Sequence, residues 1–218
     1  MWDAIVVGGR CAGAASARLL ADGGRRVLLV ERARFPADTM STLFIHPPGV
    51  ALLAEWGVLD AVVASGCPRL ESMSYHVLDV TLRAQMPSAD GAATAAGAAF
   101  APRRHILDRV LADAAVDAGA EFADGCSLAE VLWDGGRVAG VRLRTAAGTE
   151  VTERTRLLVG ADGMRSRVAK LVDAPISVAD RRMTCVYYAG WTGLPGGFAF
   201  RERPGRWIAT IPTHDGVT

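Results

Sequence analysis

Ala4-Ile5-Val6-Val7-Gly8-Gly9-Arg10-Cys11-Ala12-Gly13-Ala14-Ala15-Ser16-Ala17, with Val27-Leu28-Leu29-Val30-Glu31-Arg32 a short way on, decides how this chain folds. An apolar run ends in two glycines, and a small-residue helix follows from Cys11 to Ala21. Asp22-Gly23-Gly24 stops that helix before a second apolar run. Continuous rather than alternating apolar strands fit a parallel sheet covered on both faces. In a strand-helix-strand unit of this kind, glycines let the backbone approach a dinucleotide pyrophosphate at the helix N-terminus. An acid closing the second strand takes the ribose hydroxyls. Gly8 and Gly13 hold the first and third glycine positions, and Glu31 holds the position of the acid. Arg10 stands at the second glycine position, where a side chain hinders phosphate approach unless its guanidinium turns outward and pairs with the phosphate. With Glu31 as the acid and Arg32 beside it, a ribose rather than a 2′-phosphate is expected.

Two short helices are expected next, Pro47 to Trp56 and Val58 to Ala64, with Gly57 as the break between them. Leu70 to Met86 alternates loosely and reads as an antiparallel hairpin turning near Leu78-Asp79. Ser88 to Ala101 offers almost nothing to bury and reads as a flexible connection. From His105 onward Ile106, Leu107, Val110, Leu111, Ala114, Ala115 and Ala118 recur at helical spacing, and Gly119 closes the helix. A β meander follows over Leu128 to Trp133, Val138 to Arg144 and Val151 to Arg154. Thr155 to Val159 reads as a separate buried strand running into Gly160-Ala161-Asp162-Gly163 and a short helix, Ser166 to Val172. Beyond Pro175 an aromatic alternation through Val186, Tyr188, Trp191, Phe198, Phe200, Trp207 and Ile211 reads as the core of a second, mostly antiparallel sheet. A ligand pocket is the alternative reading of that stripe, and Asp215 to Thr218 reads as the middle of a hairpin.

The chain has 218 residues, 50% hydrophobic and 22% charged, which excludes a disordered or collagen-like protein. Its formal net charge is +1; 23 of the 24 basic residues are Arg, Ala occurs 38 times and Asn never. That reads as the codon bias of a GC-rich genome, and the basic pairs are spread along the chain among carboxylates, so no nucleic-acid partner is implied. Cys11, Cys67, Cys126 and Cys185 are far apart and lack metal spacing, so buried free thiols in a reducing cytoplasm are expected. With no basic leader and no apolar run of membrane length, the expectation is a cytoplasmic protein without a transmembrane segment. No G-x-S-x-G, P-loop or zinc spacing supports a hydrolase, kinase or metalloenzyme.

Leu157-Leu158-Val159-Gly160-Ala161-Asp162-Gly163, followed by Ser166, resembles the GADG-x-x-S segment of class A flavoprotein monooxygenases and of the related halogenase and geranylgeranyl-reductase flavoproteins. Arg104-His105-Ile106-Leu107 resembles the R-x-x-L segment of the same superfamily. Together with the opening glycines, these motifs cover residues 3 to 172 in the family's order. Gly8 to Gly13, Ser41 to Gly49 and Ile211 to Gly216 are similar to an actinobacterial-type group of FAD-dependent oxidoreductases that also carries Arg at the second glycine position. The chain thus resembles the N-terminal portion of p-hydroxybenzoate hydroxylase-like or geranylgeranyl reductase-like proteins.

The resemblance implies an α/β fold: a FAD-binding, Rossmann-like parallel sheet of the glutathione reductase type with helices and a β meander, plus part of an antiparallel substrate domain. It places the FAD-binding domain at residues 1–70 and 100–175, and the partial substrate domain at 71–99 and 176–218, with its C-terminal remainder absent. By the same resemblance Gly8, Arg10 and Gly13 contact the FAD pyrophosphate, with Gly9, Cys11 and Ala12 also in the cofactor-binding set, Glu31 takes the adenosine ribose and Arg32 the adenine side. Ser41 and Thr42 join the cofactor site, Arg104 lies in the flavin region, and Asp162 and Gly163 support FAD near the path of a transient NAD(P)H donor. Many relatives carry Arg three residues after the motif's Ser, where this chain has Ala169, which weakens any phosphate docking of NADPH there. His46 is a candidate for catalysis or substrate contact, with loop structure as the alternative, and His105 reads as a helix cap.

The activity implied is monooxygenation, in which NAD(P)H reduces FAD and dioxygen supplies an oxygen atom to a small aromatic or polyketide-like substrate by hydroxylation or epoxidation. A flavin-dependent reductase of the geranylgeranyl-reductase type and a halogenase are the enzymatic alternatives, the latter without a Trp-x-Trp-x-x-Ile segment. The alternative of another class is a truncated, non-catalytic FAD-binding fragment.

Overall fold

Residues 1–86, 97–180 and 185–218 are described by the structure, a computed structural model. In chain order they form β1 (Trp2–Val7), α1 (Cys11–Asp22), β2 (Val27–Val30), α2 (Pro47–Glu55), α3 (Leu59–Ala64), β3 (Arg69–Leu70), β4 (Ser72–Val77), β5 (Val80–Gln85) and β6 (Ala99–Phe100). There follow α4 (Arg104–Asp117), β7 (Glu121–Ala123), β8 (Cys126–Asp134), β9 (Arg137–Thr145), β10 (Glu150–Gly160), α5 (Arg167–Leu171), β11 (Ala199–Arg203) and β12 (Arg206–Thr210). They divide into two units, Met1–Ala37 with Asp108–Cys185, and Asp38–Leu107 with Val186–Thr218.

The first unit is built on a six-stranded sheet ordered β7-β2-β1-β10-β9-β8. Strands β7, β2 and β1 are parallel, and β1 pairs in parallel with β10. All of β2 and all but Asp3 of β1 are buried, as expected of strands covered on both faces. Each Val, Leu or Ile so buried contributes about 1.5–3 kcal/mol. Helix α1 buries Gly13, Ala14, Ala17 and Ala21, and such small side chains let its backbone come close to the sheet.

The meander is present, but its third strand and the separate buried strand expected after it are one element. In β10, Glu150–Arg154 pairs antiparallel with β9, and Thr155–Gly160 pairs in parallel with β1. The core cluster around Ile5, Val7, Leu28, Val141, Leu143 and Val168 accordingly takes residues from β1, β2, β9 and α5.

In the second unit the expected hairpin is β4–β5, turning at Leu78 (φ 50°) and Asp79. It joins a four-stranded sheet ordered β12-β11-β4-β5, antiparallel except where β11 lies parallel to β4. Of the expected flexible connection, residues 88–96 lie outside the described residues. Ala98 to Ala101 are buried, and Ala99-Phe100 pairs as β6 with β3. The aromatic stripe is only partly core. Phe198 and Phe200 pack with Leu70, Ala99 and Ala101, but Tyr187, Tyr188, Trp191 and Trp207 are exposed and Val186–Trp191 forms no strand. In place of a hairpin centre near residue 215, His214–Gly216 forms a 3-10 turn, and Val217 bridges antiparallel to Thr192.

The units part at residues 37/38, 107/108 and 185/186. Residues 38–70 and 100–107, expected with the first domain, thus lie in the second unit. The Ile45–Phe100 bridge and the β3–β6 pair bind these segments to each other.

The thiols are not uniformly buried: Cys67 is, Cys11 and Cys126 are half-buried, and Cys185 is exposed. Burial pushes the Cys67 thiol up to about 11, so about a thousandth of it is thiolate at pH 8. With a chromogenic disulfide reagent, Cys185 is expected to react at once and Cys67 only on unfolding. Equal rates in single-cysteine variants would contradict this burial. Among the described residues, no helix is long and apolar enough to cross a membrane.

Candidate dinucleotide site

The turn between β1 and α1 can be made only with glycine at two positions. Gly8 takes φ +109°, and a Cβ there would lie 2.3 Å from the Ala161 carbonyl oxygen; a Cβ on Gly13 would lie 1.7 Å from the Gly8 oxygen. Both obstacles are backbone atoms, and Gly8 is itself tied to β2 by its N–H to Val30 O at 2.8 Å. Arg10 is the N-cap of α1 in extended conformation, and no side chain caps the helix. The first-turn N–H groups of Ala12 and Gly13 thus receive no side-chain cap, the arrangement in which a helix start can take an anion.

Glu31, at the end of β2, is 5% exposed. Its Oε2 accepts the Gly9 N–H at 2.9 Å and its Oε1 the Ala33 N–H at 2.8 Å. A carboxylate has about four acceptor directions, so two remain for hydroxyl donors such as those of a ribose. Arg32 is exposed. These features fit the pyrophosphate and ribose of FAD: a backbone cradle that a Cβ would fill, an uncapped helix, and a buried acid beside both.

Two of the candidates are engaged by the protein itself. Arg10 does not turn outward: its Nη1 lies 2.6 Å from Asp108 Oδ2 and 3.3 Å from Ala37 O. Asp162 caps α5, with Oδ1 accepting from Ser166 Oγ at 2.6 Å and Oδ2 from the N–H groups of Arg167 and Val168 at 2.5 and 3.1 Å. Ser166 Oγ in turn accepts from Ala169 N–H. The carboxylate thus holds the Gly160–Gly163 turn in shape, and Gly163, exposed at φ +83°, completes it.

Asp108 was not singled out by its motif. It is 1% exposed, shares its helix face with the buried Ala112 and Ala115, and also accepts Cys11 Sγ–H at 3.3 Å. An acid on a buried helical stripe requires a donor, and a lone basic residue in a glycine pattern requires an acceptor; that pairing was the available signal.

The remaining candidates belong to the second unit. Ser41 Oγ accepts from Leu43 N–H in a turn that leaves Thr42 exposed, and Arg104 is the half-buried first residue of α4. His46 is exposed, serves as the N-cap of α2 through its backbone, and packs edge-on against Phe44 at 4.4 Å. His105 lies 3.5 Å from Asp38. Burial alone would raise Asp38, but the hydrogen bonds from Arg103 and the Thr39 N–H hold it below the usual carboxylate range.

A histidine that no motif marked is the buried one. His214, 3% exposed, accepts the Arg103 N–H at Nδ1 and so donates from Nε2 to Ser65 Oγ at 2.8 Å. Burial, with His105 and Arg103 adding to it against Asp215, pushes its pKa below 6.5. Between that lowered value and 6.5 the unfolded chain binds more protons than the folded one, so stability falls as pH drops below 6.5 and is flat above. His214→Gln is expected to flatten the dependence of the urea midpoint on pH between about 5.5 and 7. An unchanged slope would assign the effect elsewhere.

A family of FAD binding domains matches residues 1–194. The chain is 31% identical over 178 residues to 6-methylpretetramide 4-monooxygenase of Streptomyces rimosus, covering 79% of this chain and 41% of that protein. It is 26% identical to a digeranylgeranylglycerophospholipid reductase of Methanocella arvoryzae, covering 91% and 53%. Among solved structures, a myxobacterial chondrochloren halogenase superposes with TM-score 0.81 at 25% identity, covering 99% and 51%. p-Nitrophenol 4-monooxygenase from Pseudomonas putida does so with 0.77 at 16%, covering 100% and 56%. The chain therefore spans about half or less of the length of these proteins. Matched over 194 of its residues and carrying the glycine cradle in its opening turn, it belongs to the FAD-binding domain family of the class A flavoprotein monooxygenases.

Proposed function

We propose that this chain binds FAD through its first unit and works as an NAD(P)H-dependent monooxygenase on a small aromatic or polyketide-like substrate. The observation that carries the cofactor reading is the backbone cradle of Gly8 and Gly13, closed to any Cβ and set beside the buried Glu31. Backbone N–H groups of Arg10 to Gly13 receive the pyrophosphate in the turn that Gly8 and Gly9 shape, Glu31 takes the ribose, and Arg32 flanks the adenine. In the first unit the Asp162–Gly163 turn supports the cofactor; in the second, Ser41, Thr42 and Arg104 are candidates for cofactor contact and His46 for substrate contact. FAD, when bound, supplies two-electron redox chemistry and activation of dioxygen, for which protein side chains have no equivalent. The four-stranded sheet of the second unit is the substrate-facing element of this reading.

The direct experiment is to titrate the purified chain with FAD and follow flavin fluorescence and absorbance. One equivalent is expected to bind and to bleach with NADH or NADPH under anaerobic conditions. A colourless chain that leaves added FAD free overturns the proposal. Because relatives include a reductase, transfer of an oxygen atom from isotope-labelled dioxygen into a candidate phenol separates monooxygenation from substrate reduction, which transfers none.

A further inference from the structure

Arg10 stands where the glycine pattern makes room for phosphate, yet its guanidinium is committed to protein. Nη1 lies 2.6 Å from Asp108 Oδ2 and 3.3 Å from the Ala37 carbonyl, and the guanidinium carbon is 5.8 Å from the centre of the Phe35 ring. The same Asp108 carboxylate takes Cys11 Sγ–H. One ion pair thus joins three segments: the start of α1, helix α4, and residues 31–37, whose first member is Glu31. Moving Arg10 out to a phosphate would break a charge-assisted bond at a carboxylate only 1% exposed, where loss of a partner is costly. A guanidinium paired at 2.6 Å also presents little net field to an anion.

The geometry points to Arg10 and Asp108 as positioning residues that brace the pyrophosphate turn against the ribose segment, with Arg10 not itself a phosphate ligand. The inference rests on the reading that the first unit takes FAD. On this account the pyrophosphate is held by backbone N–H groups. The literal second glycine is dispensable because the side chain in its place is tied back. Arg10 and Asp108 act as a pair, and neither is useful alone.

Dissociation constants for FAD and ADP, measured at low and high ionic strength on the full chain, test the brace in Arg10→Met, Asp108→Asn, the double variant and Arg10→Lys. Arg109→Met, which removes an exposed charge next along the helix, serves as the control. Each single variant is expected to weaken FAD on the order of tenfold, with ADP falling by the same factor. The double variant should be no weaker than the worse single, Arg10→Lys should recover most of the loss, and the salt dependence should match wild type. A phosphate-ligand role gives a different pattern: Arg10→Met weakens binding and flattens its salt dependence, while Asp108→Asn, freeing the guanidinium, leaves binding unchanged or tighter. That pattern overturns the brace, as does an FAD loss without an ADP loss. If Arg10→Met does not fold, Asp108→Asn alone decides by the direction of its effect. Wild type that binds no FAD overturns the flavin reading itself, a result distinct from any of these.

Discussion

Gly13→Val is expected to abolish FAD binding and to lower the thermal midpoint of the chain by roughly 10 °C, the effect of ~4 kcal/mol in a chain of this size. The new Cβ would start 1.7 Å from the Gly8 carbonyl oxygen, with Ala161 Cβ a further 3.2 Å contact. Neither neighbour can give way cheaply. Gly8 is fixed by its N–H to Val30 O and by its positive φ, and Ala161 by its N–H to Val7 O at 2.8 Å. Relief therefore requires α1 to move off the sheet, which would uncover Ala14 and Ala17, both fully buried. The same displacement carries the helix N-terminus away from the position a pyrophosphate would occupy. Gly24→Ala is the control, since a Cβ there meets nothing and only the backbone strain at φ +74° is added, about 1–2 kcal/mol. Thermal unfolding and FAD titration of both variants check the argument. A Gly13→Val chain with the wild-type midpoint and affinity would show that the turn is not the tight approach described.

What the sequence disclosed follows from the range over which each cause acts. The β1-α1-β2 unit was legible because its signals are local: two apolar runs, glycines at the turn, and small residues at helical spacing. The continuity of β10 was not. The residues on either side of Arg154-Thr155 differ in partner, β9 before and β1 after: Glu153 pairs with Val141, 12 residues earlier, and Thr155 with Trp2, 153 residues earlier. Ala99-Phe100 was hidden by the Ala-rich run before it, since its burial depends on Arg69-Leu70 and Ile45 rather than on its own neighbours. Tyr187, Tyr188 and Trp191 invited the opposite error: aromatic content promised a core, and the segment forms no strand to bury them.

The candidate site divides in the same way. Gly8, Gly13 and Glu31 act through backbone space and one strand end, so their spacing carries their meaning. Arg10 does not, because its acceptor is 98 residues away on α4. Asp162 was legible as a motif residue, but the bonds by which it caps α5 within six residues were not part of what the motif announced. A motif identifies which residues matter to a cofactor domain. It does not say which of them touch the cofactor and which hold the others in place.

On the function proposed above Glu31 does both, and its removal is expected to be the second large effect. Glu31→Ala takes the acceptor from the Gly9 and Ala33 N–H groups at once. The carboxylate is buried, so water replaces it poorly, and each stranded donor costs about 1–3 kcal/mol. A midpoint lowered by roughly 5–15 °C follows from that sum. FAD affinity should fall further than stability alone accounts for, because the two acceptor directions left over for ribose hydroxyls are lost as well. Glu31→Gln separates the two contributions. Its amide oxygen can serve one N–H while its NH2 group faces the other, so it keeps the shape and part of the bonding and loses the charge. Affinity for FAD and for ADP should therefore rank wild type, then Glu31→Gln, then Glu31→Ala. Affinity for riboflavin, which has no adenosine ribose, should be indifferent to either change. Equal FAD affinity in all three proteins, measured well below their unfolding temperatures, would remove Glu31 from the ribose site and leave it as a brace for the glycine turn.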